Sequence, residues 1–239
     1  MPDIARRGPV SRNGAPAPAP APRPTVLAPT GGANGGLGLR EMKKLDKRQR
    51  IRAAARELFS KLGYEAATLR QIARRAHVGL GTLFNYADDK RDLIFLIMNE
   101  ELDAIAERAS ESAVAGSGIV DQLAAFFRVY YSELARELTL SRILLQELTF
   151  YSHGKQAAEF QNHRQRLVGR IEDLIRAGQA AGQIRGDQDA ALIARYVFFV
   201  YSTAIRWWIG SDTPDPDIGI AELRELFDLQ LAGLAPRRG

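Results

Sequence analysis

Between Thr68 and Lys90 the chain sets cations, small polar side chains and glycines at the spacing of two short helices joined by a tight turn. Thr68 and Gln71 form a Thr-x-x-Gln capping box, and Leu69, Ile72, Ala73 and Ala76 recur on one helical face. Arg70, Arg74 and Arg75 therefore point outward. After His77-Val78-Gly79 a second helix follows, so short that Leu83 is its buried contact and most of its surface stays exposed. A short exposed helix beside cations suits the groove of duplex DNA.

Such reading divides into contacts to phosphate, which position, and contacts to base edges, which specify. Thr68, at the start of the first helix, can offer its backbone N–H and hydroxyl to a phosphate. Arg70 stands beside it, and Lys47 reaches phosphate at the groove edge. Leu80, Thr82 and Asn85 are the base-edge candidates. Leucine can touch only the thymine methyl, whereas asparagine can read adenine or bind phosphate. Gly79 is an acceptable N-cap for this helix, and Gly81 lets it approach the groove closely.

These residues need a frame, and the preceding segment supplies one. From Lys47 to Leu62 the positions Ile51, Ala54, Ala55, Leu58, Phe59 and Leu62 step by three and four, which predicts an amphipathic helix packed over the motif. Gly63-Tyr64-Glu65-Ala66-Ala67-Thr68, Ile72-Ala73 and Val78 to Tyr86, followed by Lys90 and Leu93, resemble the DNA-binding domain of the TetR family of bacterial regulators in order and spacing. The resemblance covers roughly residues 47 to 94. It implies that Tyr86 and Lys90 contact the DNA backbone on the far side of the recognition helix. Phe84 lacks the hydroxyl of the family's usual Tyr, so one phosphate hydrogen bond is missing there. His77 replaces the usual Gly at a turn position expected to need a left-handed backbone, at a cost of about 1 kcal/mol. Gly79 replaces Ser and loses a capping hydroxyl, and Ala87 replaces Phe.

Charge separates the two ends of the chain. Residues 1–91 hold 18 Lys and Arg against 7 Asp and Glu, whereas residues 92–239 hold 15 against 21, within a net charge of +5. A polyanion is attracted to the N-terminal end. With no Cys there are no disulfides, thiolate metal sites or cysteine nucleophiles. Arg6 and Arg7 are followed by no apolar run, which argues against a secretory signal and for a cytoplasmic protein.

The expected fold class is all-α: an N-terminal three-helix helix-turn-helix domain followed by a helical ligand-binding and dimerisation domain. Residues 1–42 carry 8 of the 11 prolines, an Ala-Pro run and a Gly-rich stretch, and read as a disordered basic arm. Residues 43–92 form the DNA-binding domain, with Lys43, Lys44, Lys47, Arg48 and Arg50 expected to face DNA. Residues 93–234 form the second domain and 235–239 a tail. Helices are expected at about 89–113, 118–136, 139–152, 155–182, 187–210 and 217–234, broken by Gly, Pro and polar clusters.

Between Ala190 and Trp208 the charged residues are Arg195 and Arg206 alone. A helix apolar nearly all round is buried on several sides. Two internal arginines and the flanking Asp187 and Asp189 speak against a membrane span. The remaining solution is a homodimer through about 187–210 and 217–234, with Val197 and Tyr201 expected to meet the partner. The resemblance implies the same, since TetR proteins dimerise through their last two long helices.

Of 19 aromatic residues, 13 lie between Phe126 and Trp208, a density that can line an apolar ligand pocket or fill a core. The pocket candidates are Phe127, Arg128, Tyr131, Gln146, Glu147, Phe150, His163, Phe199, Thr203 and Trp207. His77, His153 and His163 are the only histidines, and no nucleophile elbow, phosphate loop or HExxH motif occurs. No enzyme, metal or cofactor is expected. The reading is a sequence-specific regulator, a repressor released from a palindromic DNA operator by a small-molecule effector. The alternatives are a helical small-molecule binding protein with a vestigial motif and an architectural DNA binder without sequence choice.

Overall fold

The computed structural model describes residues 38–113 and 117–233. Every regular element among them is helical: α1 Leu39–Leu62, α2 Leu69–Arg75, α3 Leu80–Leu83, α4 Lys90–Ser112, α5 Ile119–Arg136, α6 Leu138–Glu147, α7 Ala157–Ala180, α8 Ala190–Ile209 and α9 Pro216–Ala232. The arm lies outside the described residues up to residue 37, and its expected boundary at 42 is corrected: α1 already begins at Leu39. The tail 235–239 is likewise outside them.

Local signals set the helix starts. Thr68 accepts the Gln71 N–H at 3.2 Å while its own N–H donates to Gln71 Oε1 at 2.8 Å, closing the capping box of α2. Asp89, Asp189 and Asp215 cap α4, α8 and α9 through their carboxylates, and Pro216 opens the first turn of α9. Each satisfies an N–H that the helix cannot pair internally.

Packing follows from which faces are apolar. Ile51, Ala54, Ala55 and Phe59 of α1 close over Ile72, Ala73 and Leu83, forming the small N-terminal core. Helix α4 is buried without a break from Asp92 to Asn99, because α1, α5, α6 and α7 surround it. The expected domain border at 92/93 falls inside this helix, so the DNA-facing helices and the C-terminal bundle share one continuous rod. From Gly38 onward the chain clusters as one unit.

Helix α9 crosses α5 and α8 closely at Gly219, where a Cβ would stand 2.5 Å from Tyr131 Cε1 and 2.6 Å from Trp208 Cδ1. Both rings are buried and cannot retreat. Gly219→Ala is expected to destabilise the fold by about 1–3 kcal/mol through overpacking, read as a lowered midpoint in urea or thermal unfolding. An unchanged midpoint would show that α9 shifts freely on α5.

Candidate functional site

The turn between α2 and α3 is built around His77, whose φ of 54° is the left-handed conformation expected there. Arg50 stabilises it, donating from Nη1 to the carbonyls of Ala76 and His77 at 3.1 and 3.3 Å, while Nε donates to Asp46 at 3.0 Å. A cation at a helix C-terminus meets the partial negative charge of the unpaired carbonyls. This corrects the expectation that Arg50 faces DNA. Arg48 is likewise turned to Glu100 and Glu159, at 3.4 and 3.5 Å. Lys43, Lys44 and Lys47 remain exposed.

Helix α3 is a single turn, extended by hydrogen bonds from Asn85 N to Thr82 O and from Tyr86 N to Leu83 O. Leu83 and Ala87 anchor it in the core, where the small Ala87 is fully enclosed. Gly79, Gly81, Phe84 and Asn85 are exposed, Thr82 is half-buried, and Leu80 packs partly against the core. Tyr86 donates its hydroxyl to Lys44 O at 3.2 Å, tying α3 to α1.

Two expected phosphate ligands are partly committed to the protein. Lys90 Nζ donates to the carbonyls of Tyr64 and Glu65 at 2.8 and 3.0 Å and lies 4.8 Å from the centre of the Tyr64 ring. It holds the α1–α2 loop, a role the sequence did not suggest. The Thr68 N–H and hydroxyl both reach Gln71 Oε1, so the capping box consumes the donors expected to bind phosphate. Arg70 stands on the exposed face of α2, whereas Arg75 pairs with Glu57 at 2.7 Å.

A cavity of about 550 Å³ opens among α4 to α8. Phe150, His163 and Phe199 line it as expected. The other pocket candidates do not. Phe127 stacks on Tyr201 at 4.1 Å between ring centres, and Tyr131 packs on Trp208 at 4.7 Å, both inside the core. Arg128 pairs with Asp217 on the outside, Gln146 is exposed, and Glu147 pairs with Arg91 at 3.5 Å. Thr203 and Trp207 lie on the outer face of α8 beside Leu226 of α9. One position along α5 decides the difference, since Tyr130 and Leu134 line the cavity while Phe127 and Tyr131 turn toward α8 and α9. Sequence reading also missed Ser202 and Arg206, although polar residues four apart in an otherwise apolar helix signal a face turned to a cavity.

Cavity and motif meet at Asp92, buried at the first turn of α4. Its Oδ1 accepts from the Tyr151 hydroxyl and from Gln156 N at 2.9 Å, and its Oδ2 accepts from Asp88 N and Lys155 N, both at 2.9 Å. Gln156 Nε2 also donates to Tyr86 O at 2.9 Å. Gly154, at φ 118°, fits against this carboxylate, for a Cβ there would lie 2.7 Å from Oδ1. The α6–α7 loop, whose Phe150, Tyr151 and Ser152 form one cavity wall, is thus hydrogen-bonded to the residues that end the recognition segment.

The outer face of α8 presents Leu192, Tyr196, Phe199 and Trp207 to solvent at helical spacing, continued by Ile218, Leu226 and Leu229 of α9. Val197 and Tyr201, expected at a partner, instead face the core, at 0% and 6% exposure. Among the described residues no cluster of His, Asp and Glu could hold a metal ion, and no helix is long and apolar enough to cross a membrane.

A capped scaffold helix, a left-handed turn and a one-turn exposed helix, carried on an α-helical body with its own cavity, define a helix-turn-helix regulator of transcription. Residues 51–97 match the family model of bacterial regulatory proteins of the tetR family, and residues 116–213 match the tetracyclin repressor-like C-terminal domain. The chain belongs to the TetR family. It is 28% identical over 165 residues to the HTH-type transcriptional regulator HbdR of Aromatoleum sp. (strain CIB), covering 68% of this chain and 71% of that protein. It is also 28% identical over 169 residues to the HTH-type transcriptional repressor KstR of Mycobacterium tuberculosis, covering 69% and 71%. Among solved structures, Thermus thermophilus FadR in complex with lauroyl-CoA superposes with a TM-score of 0.63 at 25% identity, covering 80% of this chain and 97% of that one.

Proposed function

We propose that this protein is a dimeric, sequence-specific DNA-binding repressor that leaves its palindromic operator when a small apolar-bodied molecule enters the cavity among α4 to α8. The observation that carries the reading is the hydrogen-bonded path from the cavity wall through Asp92 and Gln156 to Tyr86. A ligand can shift the DNA-binding equilibrium only by binding one arrangement of the recognition helices better than another. A loop that shares its hydrogen bonds between cavity and motif supplies that difference. The relatives are transcriptional regulators, and FadR of Thermus thermophilus and of Bacillus subtilis are described in complex with lauroyl-CoA and stearoyl-CoA. As a bacterial DNA-bound regulator it works in the cytoplasm, and no catalytic role is assigned.

In this reading Leu80, Thr82 and Asn85 read bases across Gly81, while Lys47, Thr68, Arg70, Phe84, Tyr86 and Lys90 flank the phosphates with Gly79 at the helix start. Selection of bound fragments from random DNA, with retention measured against competitor, tests it. Asn85→Ala and Thr82→Ala are each expected to cost about 1–3 kcal/mol on the selected site and much less on random DNA. Equal losses on both would favour an architectural binder. No retention of any sequence by the folded dimer would favour a binding protein with a vestigial motif.

A further inference from the structure

The cavity lining is largely apolar, with a few polar side chains. Leu102, Leu134, Leu144, Leu145, Phe160 and Leu167 make an apolar wall, whereas Tyr130, His163 and Arg206 bring polar atoms to the same space; Arg164, a second cation of the lining, is exposed. The Tyr130 side chain is 1% exposed, and its hydroxyl is buried with no hydrogen-bond partner. Arg206 Nε is also buried and unpartnered. Its Nη1 donates to Ser202 O one turn back, at 2.7 Å, and among the described residues no ion pair joins it to a carboxylate. The Tyr201 ring lies edge-on to Tyr130 at 5.8 Å between ring centres. His163 is tied through Nδ1 to Asp103 at 3.1 Å, and burial pushes its pKa down.

A guanidinium keeps its charge at any pH a folded protein meets, so half-burial without a counter-ion costs stability. Two unpaired donors, one of them cationic, call for a partner that only accepts and is negatively charged. A carboxylate does both, and forms charge-assisted hydrogen bonds stronger than neutral ones. A neutral alcohol brings an unneeded donor and no charge. We propose that the effector is an apolar carboxylic acid bound as its anion, its hydrocarbon body against the leucine wall and its carboxylate between Arg206 and the Tyr130 hydroxyl. The inference rests on the cavity being the effector site.

The test measures binding of dodecanoate, dodecan-1-ol and dodecanoyl-CoA to the full chain by titration calorimetry, without DNA. Dodecanoate is expected to bind about ten- to a hundredfold more tightly than dodecan-1-ol. Arg206→Gln should abolish that preference by weakening dodecanoate far more than the alcohol, Arg206→Lys should restore part of it, and Tyr130→Phe should reduce it by several-fold. Equal binding of acid and alcohol, no binding of either, or a preference indifferent to both Arg206→Gln and Tyr130→Phe overturns the assignment. Tight binding of dodecanoyl-CoA that survives Arg206→Gln, with dodecanoate weak, also overturns it, because the charge would then be read outside the cavity. Retention of selected DNA by the ligand-free protein is scored separately. Its absence defeats the regulator reading even where dodecanoate binds, and its presence leaves that reading standing if the carboxylate preference fails.

Discussion

Replacing Asp92 with Ala is expected to lower the stability of the fold by about 3–5 kcal/mol, among the largest effects of any single substitution here. The carboxylate is buried and takes hydrogen bonds from Tyr151, Gln156, Asp88 and Lys155. Removing it leaves three backbone N–H groups and a phenol without this acceptor, and the phenol and Gln156 N lie in the buried interior. Tyr151→Phe removes one donor and keeps the acceptor, so its cost should be only about 1–2 kcal/mol. Asp92→Asn turns an amide donor toward two N–H groups and should fall near the alanine variant. Urea unfolding of the three proteins checks the order. A loss below 1 kcal/mol for Asp92→Ala would mean that the α6–α7 loop is held by its apolar contacts, chiefly Tyr151 stacked on Phe95 at 3.6 Å between ring centres.

Trp207→Asp and Tyr196→Asp are each expected to convert the dimer to a folded monomer. Trp207 is 82% exposed in the single chain and stands in line with Leu192, Tyr196 and Phe199, on the face continued by Leu226 and Leu229. So large an apolar surface on one chain marks a protein interface, and tryptophan and tyrosine dominate such interfaces energetically. An aspartate buried in each subunit's half of the interface would oppose association by desolvation. Val197→Asp acts differently: Val197 is fully enclosed in its own subunit, so the charge should unfold the chain. Sedimentation equilibrium combined with far-ultraviolet circular dichroism separates the outcomes. Intact dimers from both surface variants would place the interface elsewhere.

The DNA-facing motif was legible because its signals are local. A capping box closes within one turn, Leu83 marks the inner side of α3, and the turn at His77 needs a left-handed residue whatever the rest of the chain does. The helical class and most helix boundaries followed in the same way, from periodicity and from Gly, Pro and Asp at the ends. The apolar character of α8 was equally plain. Its orientation was not, because apolar residues occupy both faces of α8 and sequence alone does not say which face enters its own core and which is left outward. The stacking of Tyr201 on Phe127 fixes that rotation, and it sends Tyr196 and Trp207 outward in place of Val197 and Tyr201.

Cations show the same division. A sequence reports Lys47, Arg48, Arg50 and Lys90 as one basic cluster, but partners distant in the chain decide what each does. Arg50 finds the carbonyls of Ala76 and His77, Lys90 those of Tyr64 and Glu65, and Arg48 two carboxylates, while Lys47 stays exposed. The aromatic density between Phe126 and Trp208 announced either a core or a cavity; three-dimensional packing gave Phe127 and Tyr131 to the core and Tyr130 to the cavity. Local hydrogen bonding and periodicity thus determined the helices and the recognition motif from sequence alone. Tertiary structure alone decided the rotation of α8, the cavity lining and the Asp92 link, because burial, pairing and hydrogen bonds between residues some sixty positions apart exist only once the helices have packed.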